Sequence, residues 1–387
     1  MTRKVLVVTG TRAEFGLLRG LMTNIVSAPN LELQLIATGM HLSPRFGSTY
    51  TEIEEAGFGI DLKIDLMLEG DSPEDISKSI GFGMTGFAKA YKKLQPDLVI
   101  VLGDRFELLP AVISALISVI PVAHLHGGET TEGAFDESIR HAVTKMSHLH
   151  FVATDEYRKR VIQLGENPDH VYNVGGLGVD AIKRTKLMTR LELENSLGFT
   201  FGERNLLITF HPATLEQGQS IHQLNELLAA LHRLQDTKLL FTLPNADTGS
   251  RQLIGLINRF VASHPHSRAY PSLGQLRYLT CMSIVDGVVG NSSSGIAEAP
   301  TLKTGTVNIG NRQKGRLMAA SVINCSTERD AISHAIARLY DRSFRHVLNS
   351  VKNPYGDGGA AERIVGHISE VELQGLEKKP FYDLNLK

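Results

Sequence analysis

The chain has 387 residues, with 40 Lys+Arg against 41 Asp+Glu and a formal net charge of −1. That balance gives no bulk electrostatic footprint for nucleic acid or an anionic membrane, so the expected partner is a small molecule. The length suits two domains, each able to bury its own core, and the only cysteines, Cys281 and Cys325, lack any metal or disulfide spacing, which fits a reducing cytoplasm.

Arg3 and Lys4 precede only a short apolar run, too little for a signal-peptide core, so secretion is not expected. Runs rich in Val, Ile and Leu at 5–9, 33–38, 98–102, 122–125, 149–153 and 171–174 read as strands and alternate with helix-length amphipathic segments. Such alternation predicts parallel sheets between helices. The apolar region 108–125 is broken by Pro110, Ser114, Ser118, Pro121 and His124, and splits into a buried helix and a buried strand rather than a membrane span. After a charged, helix-prone stretch at 183–196 the pattern resets, with strands predicted at 206–210, 238–243, 284–289 and 306–309. Two successive doubly wound Rossmann-like domains follow, 1–182 and 183–364, with ligands expected beyond the carboxyl ends of the strands in the cleft between them. A terminal helix from Gly359 to about Leu376 is predicted, residues 365–387 packing back on the first domain.

Polar residues follow nearly every strand. The first opens into Thr9-Gly10-Thr11-Arg12-Ala13-Glu14, which is not the G-x-G-x-x-G of a dinucleotide site but allows a tight turn and places Arg12 to reach a phosphate. Gly103-Asp104-Arg105 carries a carboxylate that either projects into the cleft or caps the next helix. His124-Leu125-His126-Gly127-Gly128-Glu129 sets two imidazoles beside a carboxylate; His-x-His suggests a metal at first glance, but no fuller ligand cluster accompanies it, so no metal site is expected. Asp136 opens a helix with Arg140 and His141 one turn on, as cap or as catalyst. In the second half His211-Pro212 ends a strand, and the loop holding Asn245 offers polar groups for sugar hydroxyls or simply turn chemistry. Gly290-Asn291-Ser292-Ser293-Ser294-Gly295, then Glu298, then Arg312-Gln313-Lys314-Gly315-Arg316 read as a nucleoside-diphosphate cradle. Glycines admit an anion, hydroxyls and helix-opening N–H groups donate, and Glu298 can take two ribose hydroxyls; the same residues also make an ordinary helix cap.

In order along the chain, TGTRAEFG, GDRFE, HLHGGE, DESIRHAVTK, His211-Pro212, LPNADTGS, GNSSSGIAEAP and GNRQKGR resemble the hydrolysing UDP-N-acetylglucosamine 2-epimerases. The resemblance covers nearly the whole chain. It implies a glycosyltransferase-B-like pair of domains with UDP held mainly by the second. It also implies conversion of UDP-N-acetylglucosamine and water to N-acetylmannosamine and UDP for sialic-acid biosynthesis, without cofactor or metal. A base would remove the C2 proton as UDP leaves C1, and water would add to the resulting 2-acetamidoglucal. Asp104 and Asp136 match family carboxylates, His211 a family histidine, Arg12, Ser293, Ser294 and Arg316 the diphosphate contacts, and Glu298 the ribose contact. Better-known members carry Glu where this chain has His126, so either His126 or Glu129 fills that acid/base role. An assembly of two or four copies is expected. The alternatives are a UDP-2,4-diacetamido-2,4,6-trideoxyhexose substrate of legionaminic-acid type, reversible non-hydrolysing epimerisation, a glycosyltransferase of the same fold, and a non-catalytic nucleotide-sugar sensor.

Overall fold

The computed structural model describes the chain except for residues 1, 69, 71, 131–134, 213–217, 245–248 and 385–387. Two compact units form. Unit 1 comprises Met1–Glu129, Asp136–Ala181 and Tyr355–Lys387; unit 2 comprises Thr130–Phe135 and Ile182–Pro354.

Unit 1 holds β1 (Arg3–Thr9), β2 (Leu31–Thr38), β3 (Leu62–Ile64), β4 (Leu98–Leu102), β5 (Val122–Leu125), β6 (Leu149–Val152) and β7 (Val171–Asn173). All pair in parallel, in the order β3-β2-β1-β4-β5-β6-β7. Because side chains alternate along a strand, β1 buries Val5 and Val7 on one face with Leu18, Leu35 and Ile364, and Leu6 and Val8 on the other with Phe87, Val101 and Val112. That two-sided burial is why its sequence is a continuous apolar run. The strand order reverses between β1 and β4, and at such a switch point the following loops diverge to leave a crevice for ligand. Here those loops begin at Gly10 and Gly103.

Unit 2 repeats the plan with β8 (Arg204–Thr209), β9 (Thr237–Thr242), β10 (Ser267–Tyr270), β11 (Gly287–Gly290), β12 (Gly305–Ile309) and β13 (Val322–Cys325), again all parallel, ordered β10-β9-β8-β11-β12-β13. Its switch point lies between β8 and β11, where the chain continues into His211 and Asn291. Leu206, Ile208 and Phe210 pack on one face and Leu207 on the other.

Three strands escape sequence reading. β3 has three residues, β10 reads Ser-Arg-Ala-Tyr, and β13 is a four-residue edge. The strand expected at 284–289 begins later, at Gly287, because Ile284 closes the helix Gly274–Ile284. The chain returns to unit 1 at Tyr355, ten residues before the expected tail. There the buried Asp180 carboxylate accepts the N–H groups of Gly359, Ala360 (3.1 Å) and Ala361 (2.9 Å), satisfying donors that open the last helix. That helix, Ala360–Glu370, stops short of Leu376 and buries Ile364 and Ile368 against Arg12–Ser27. Among the described residues no helix is long and apolar enough to cross a membrane.

Candidate active site

In unit 1 the carboxyl ends of β4 and β5 carry the ionisable groups. Asp104 follows Gly103, whose φ of +88° turns the chain sharply off β4. The next helix starts only at Leu108, so Asp104 does not cap it. Its carboxylate instead pairs with Arg140, a guanidinium with 1% side-chain exposure beside a carboxylate with 23%. Arg140 Nη1 also donates to the Glu129 carbonyl (2.8 Å) and to Glu137 (3.1 Å). One buried guanidinium therefore ties the Asp104 turn and the Glu129 backbone to its own helix, through a planar fork of N–H groups that Lys lacks. The sequence places Arg140 one turn into the helix that Asp136 opens, but gives no sign that it reaches back to Asp104 and Glu129.

His124, fully buried on β5, is held well below the usual imidazole range, at about 3, by desolvation. It remains neutral. Its Nε2 lies 2.7 Å from the Gly103 carbonyl and its Nδ1 3.0 Å from Thr144 Oγ1, so Nε2–H donates to the turn that carries Asp104 and the threonine hydroxyl donates to Nδ1. His124 is thus a brace for the Asp104 turn. His126 lies one pleat further on, with Nδ1 2.8 Å from Glu129 Oε1. Asp136 begins the helix Asp136–Met146, whose Arg140 completes the group.

Beside β1, Glu14 closes a capping box with Thr11 and accepts the N–H groups of Gly10 (2.7 Å) and Thr11 (3.2 Å). Burial, reinforced by Glu107, pushes its carboxyl up to about 7. Arg12 is bound to Glu52 at 2.9 Å, and Arg105 Nε grips both Glu107 oxygens at 3.2 and 3.1 Å. Arg12, the unit 1 cation expected at the diphosphate, is therefore engaged with a carboxylate of its own unit, and so is Arg105.

In unit 2, Asn291 is a clip. Its side chain accepts the His211 N–H (2.7 Å) and donates to the His211 carbonyl (2.8 Å), locking the end of β8 to that of β11. Its own carbonyl receives Arg312 Nη1 (3.2 Å) and Gln313 Nε2 (2.9 Å), which folds the basic loop onto the serine loop. Ser292 Oγ is 3.1 Å from Ser294 Oγ, which also meets the Tyr278 hydroxyl. Ser293 is the N-cap of the short helix Ser294–Ala297, and Gly295 is required beneath it because a Cβ there would lie 2.7 Å from the Thr306 methyl. Glu298 follows, its carboxyl raised to about 7 by desolvation. Arg316 Nε donates to the carbonyl of Thr130, part of the short segment assigned to this unit (3.1 Å). The sequence-predicted Asn291, Ser292, Ser293, Ser294, Gly295, Arg312 and Gln313 thus form one loop cluster, whereas Asn245 lies outside the described residues.

The sequence pattern of the UDP-N-acetylglucosamine 2-epimerase family matches residues 23–369. The chain is 40% identical to the GDP/UDP-N,N'-diacetylbacillosamine 2-epimerase (hydrolyzing) of Campylobacter jejuni, over 99% of both chains. It is 38% identical to polysialic acid biosynthesis protein P7 of Escherichia coli (99% of this chain, 98% of the relative) and 30% identical to the UDP-N-acetylglucosamine 2-epimerase of Neisseria meningitidis (99% and 100%). Among solved structures, a Neisseria meningitidis UDP-GlcNAc 2-epimerase bound to UDP-GlcNAc superposes with a TM-score of 0.82 at 18% identity, over 95% of this chain and 100% of that one. The glycosyltransferase-B-like plan is shared. The chain belongs to the UDP-N-acetylglucosamine 2-epimerase family, with hydrolysing enzymes among its near relatives.

Proposed function

We propose that this protein hydrolyses a UDP-linked 2-acetamido sugar with inversion at C2, releasing the free 2-epimer and UDP. The observation that carries the reading is the crowding of Asp104, Glu129 and Arg140 at the ends of β4 and β5, an arrangement suited to moving protons rather than to receiving a sugar acceptor. In the reaction a base takes the C2 proton while the C1–O bond to UDP breaks, giving the 1,2-unsaturated sugar. Water then adds across that double bond, its oxygen to C1 and a proton to C2 on the opposite face. Asp104 and Asp136 are the carboxylates assigned to the proton transfers, with the third acid/base position at His126 or Glu129. The serine loop, Glu298 and the Arg312–Arg316 stretch of unit 2 are assigned to the nucleotide, where donors aimed at the departing diphosphate stabilise its growing charge.

For the sugar, UDP-N,N'-diacetylbacillosamine is the first choice, because the 40%-identical relative is named for GDP/UDP-N,N'-diacetylbacillosamine. UDP-N-acetylglucosamine is the second reading, favoured by the family's own description and the 30%-identical Neisseria relative. Supplying each nucleotide sugar to the purified protein and measuring UDP release at sub-saturating substrate decides between them. The account expects kcat/KM for the diacetamido sugar to exceed that for UDP-N-acetylglucosamine by about tenfold or more, the size of a single well-formed polar contact. The reverse order establishes the second reading. Release from neither, or two interconverting UDP-sugars without free UDP, rejects hydrolytic epimerisation.

Glu298 gives a paired expectation. Because its folded-state pKa is raised from the ordinary carboxylate range to about 7, the folded state holds more protons between those limits, and stability falls as pH rises through that window. Glu298→Gln removes the ionisation and should melt above the native protein at about pH 8, the two converging near pH 4.5. If the carboxylate takes ribose hydroxyls, the same change weakens UDP binding by about tenfold or more, as for loss of a charged acceptor. Unchanged UDP affinity in calorimetry removes Glu298 from the nucleotide site.

A further inference from the structure

The turn that follows β5 is fixed to an unusual degree for a catalytic loop. His126 has φ +64°, a left-handed conformation that costs a non-glycine residue on the order of 1 kcal/mol and persists only where surroundings impose it. They do so here. The His126 N–H donates to the Phe151 carbonyl on β6 (2.9 Å), Arg160 binds the Gly128 carbonyl, and Arg140 binds the Glu129 carbonyl (2.8 Å). A Cβ on Gly128 would lie 2.5 Å from the Tyr157 carbonyl oxygen, so the turn is seated directly on the helix Asp155–Gln163.

Both ring nitrogens of His126 are also committed. The backbone N–H of Leu177, first residue of the helix Leu177–Arg184, donates to Nε2 at 3.2 Å. A backbone N–H has no alternative role, so Nε2 must carry the lone pair and Nδ1 the hydrogen. That hydrogen points along the 2.8 Å contact to Glu129 Oε1. The ring cannot take a proton at Nε2 without setting two N–H groups against each other at the positive end of a helix, and cannot give up the Nδ1 proton without leaving the Glu129 carboxylate facing a lone pair. Meanwhile Arg140 holds the Glu129 backbone and the Asp104 carboxylate on one guanidinium, so these two acidic residues share a common frame.

We propose that His126 is a positioning residue: its Nδ1–H, set by the Leu177 N–H, holds the Glu129 carboxylate, and Glu129 rather than the imidazole transfers the proton at the third acid/base position. The proposal rests on the epimerase reading and adds to it the identity of that group. Only a proton moves through the group: Glu129 takes it from C2 as the C2–H electron pair forms the C1–C2 double bond and the C1–O bond to UDP breaks, or returns one to C2 as the water oxygen adds to C1, and the imidazole keeps its Nδ1 hydrogen throughout.

Three variants and one spectrum test it. Histidine-labelled native protein should show His126 as the Nδ1–H tautomer in its nitrogen NMR spectrum; an Nε2–H ring overturns the proposal whatever the enzyme's substrate. With the nucleotide sugar that the native protein turns over, Glu129→Gln should lower kcat by about 10³-fold and His126→Ala by about 10²-fold, with KM within a few-fold. His126→Asn, whose amide N–H can stand in for Nδ1–H, should recover kcat to within about tenfold of native and keep the acid limb of its pH profile. Should His126→Ala fail to fold, the Asn and Gln variants alone carry the comparison. Equal losses in His126→Asn and His126→Ala, or a Glu129→Gln enzyme within about tenfold of native, make the ring the proton carrier and overturn the assignment. A native protein that releases no UDP from any nucleotide sugar fails the epimerase reading itself, an outcome the tautomer measurement keeps separate.

Discussion

Asp104→Asn is expected to abolish turnover while sparing nucleotide affinity: kcat lower by on the order of 10³ to 10⁴, UDP binding within a few-fold of native. The side chain sits on a turn braced from below by His124 and paired at its tip with Arg140. Asparagine keeps the shape and one oxygen for the guanidinium but cannot accept a proton. The proposal assigns the nucleotide to groups of unit 2, so an effect confined to the chemical step should appear in kcat and leave UDP calorimetry almost unchanged. The alternative is structural. Arg140 is buried, and weakening one of its partners leaves charge less well compensated, which elsewhere costs several kcal/mol. A melting curve separates the two: a catalytic effect leaves the transition in place, and Arg140's remaining acceptors at Glu129 and Glu137 argue that it will be left in place. A large loss of UDP affinity would move Asp104 into the nucleotide site.

The largest expected effect on stability is Gly290→Ala. Gly290 ends β11 with φ +144°, and a Cβ there would lie 1.9 Å from the Thr209 carbonyl oxygen and 2.8 Å from its carbon. Those are backbone atoms of β8, the neighbouring strand, with Gly290 paired to Thr209 in register. They cannot rotate away as a side chain would. The methyl therefore has to push β8 and β11 apart at the point where Asn291 clips His211, breaking the hydrogen bonds that shape the serine loop. Overpacking against backbone with a strained φ should cost about 3 kcal/mol or more. Gly198→Ala is the control: its φ of +59° is also left-handed, but nothing lies within 4 Å of its Cβ. That substitution should cost only about 1 kcal/mol. Equal denaturation midpoints for the two variants would mean that the strand ends can yield.

Much of the fold was legible because parallel strands buried on both faces are largely apolar, as Leu98–Leu102 is throughout. Edge strands bear no such constraint, and β10, with Ser267 and Arg268, carries no apolar run to read. The serine loop has glycines for a different reason: at Gly290 and Gly295 a Cβ would run into Thr209 and Thr306. What remained hidden was partnership. Asn291 reads as a ligand group, yet its amide is spent on His211; Arg12 reads as a phosphate cation, yet it lies on Glu52. Arg140 reads as a charge one turn into a helix, and it is buried against the Asp104 carboxylate. Such pairings join residues far apart in sequence, and no local pattern encodes them.

Turnover in deuterated water, followed by proton NMR of the products, tests the central claim most directly. The account predicts free sugar with inverted C2 configuration, deuterium at C2 and one UDP for each sugar released. Sugar that keeps protium at C2, or a pair of UDP-sugars at equilibrium with no free UDP, would contradict it.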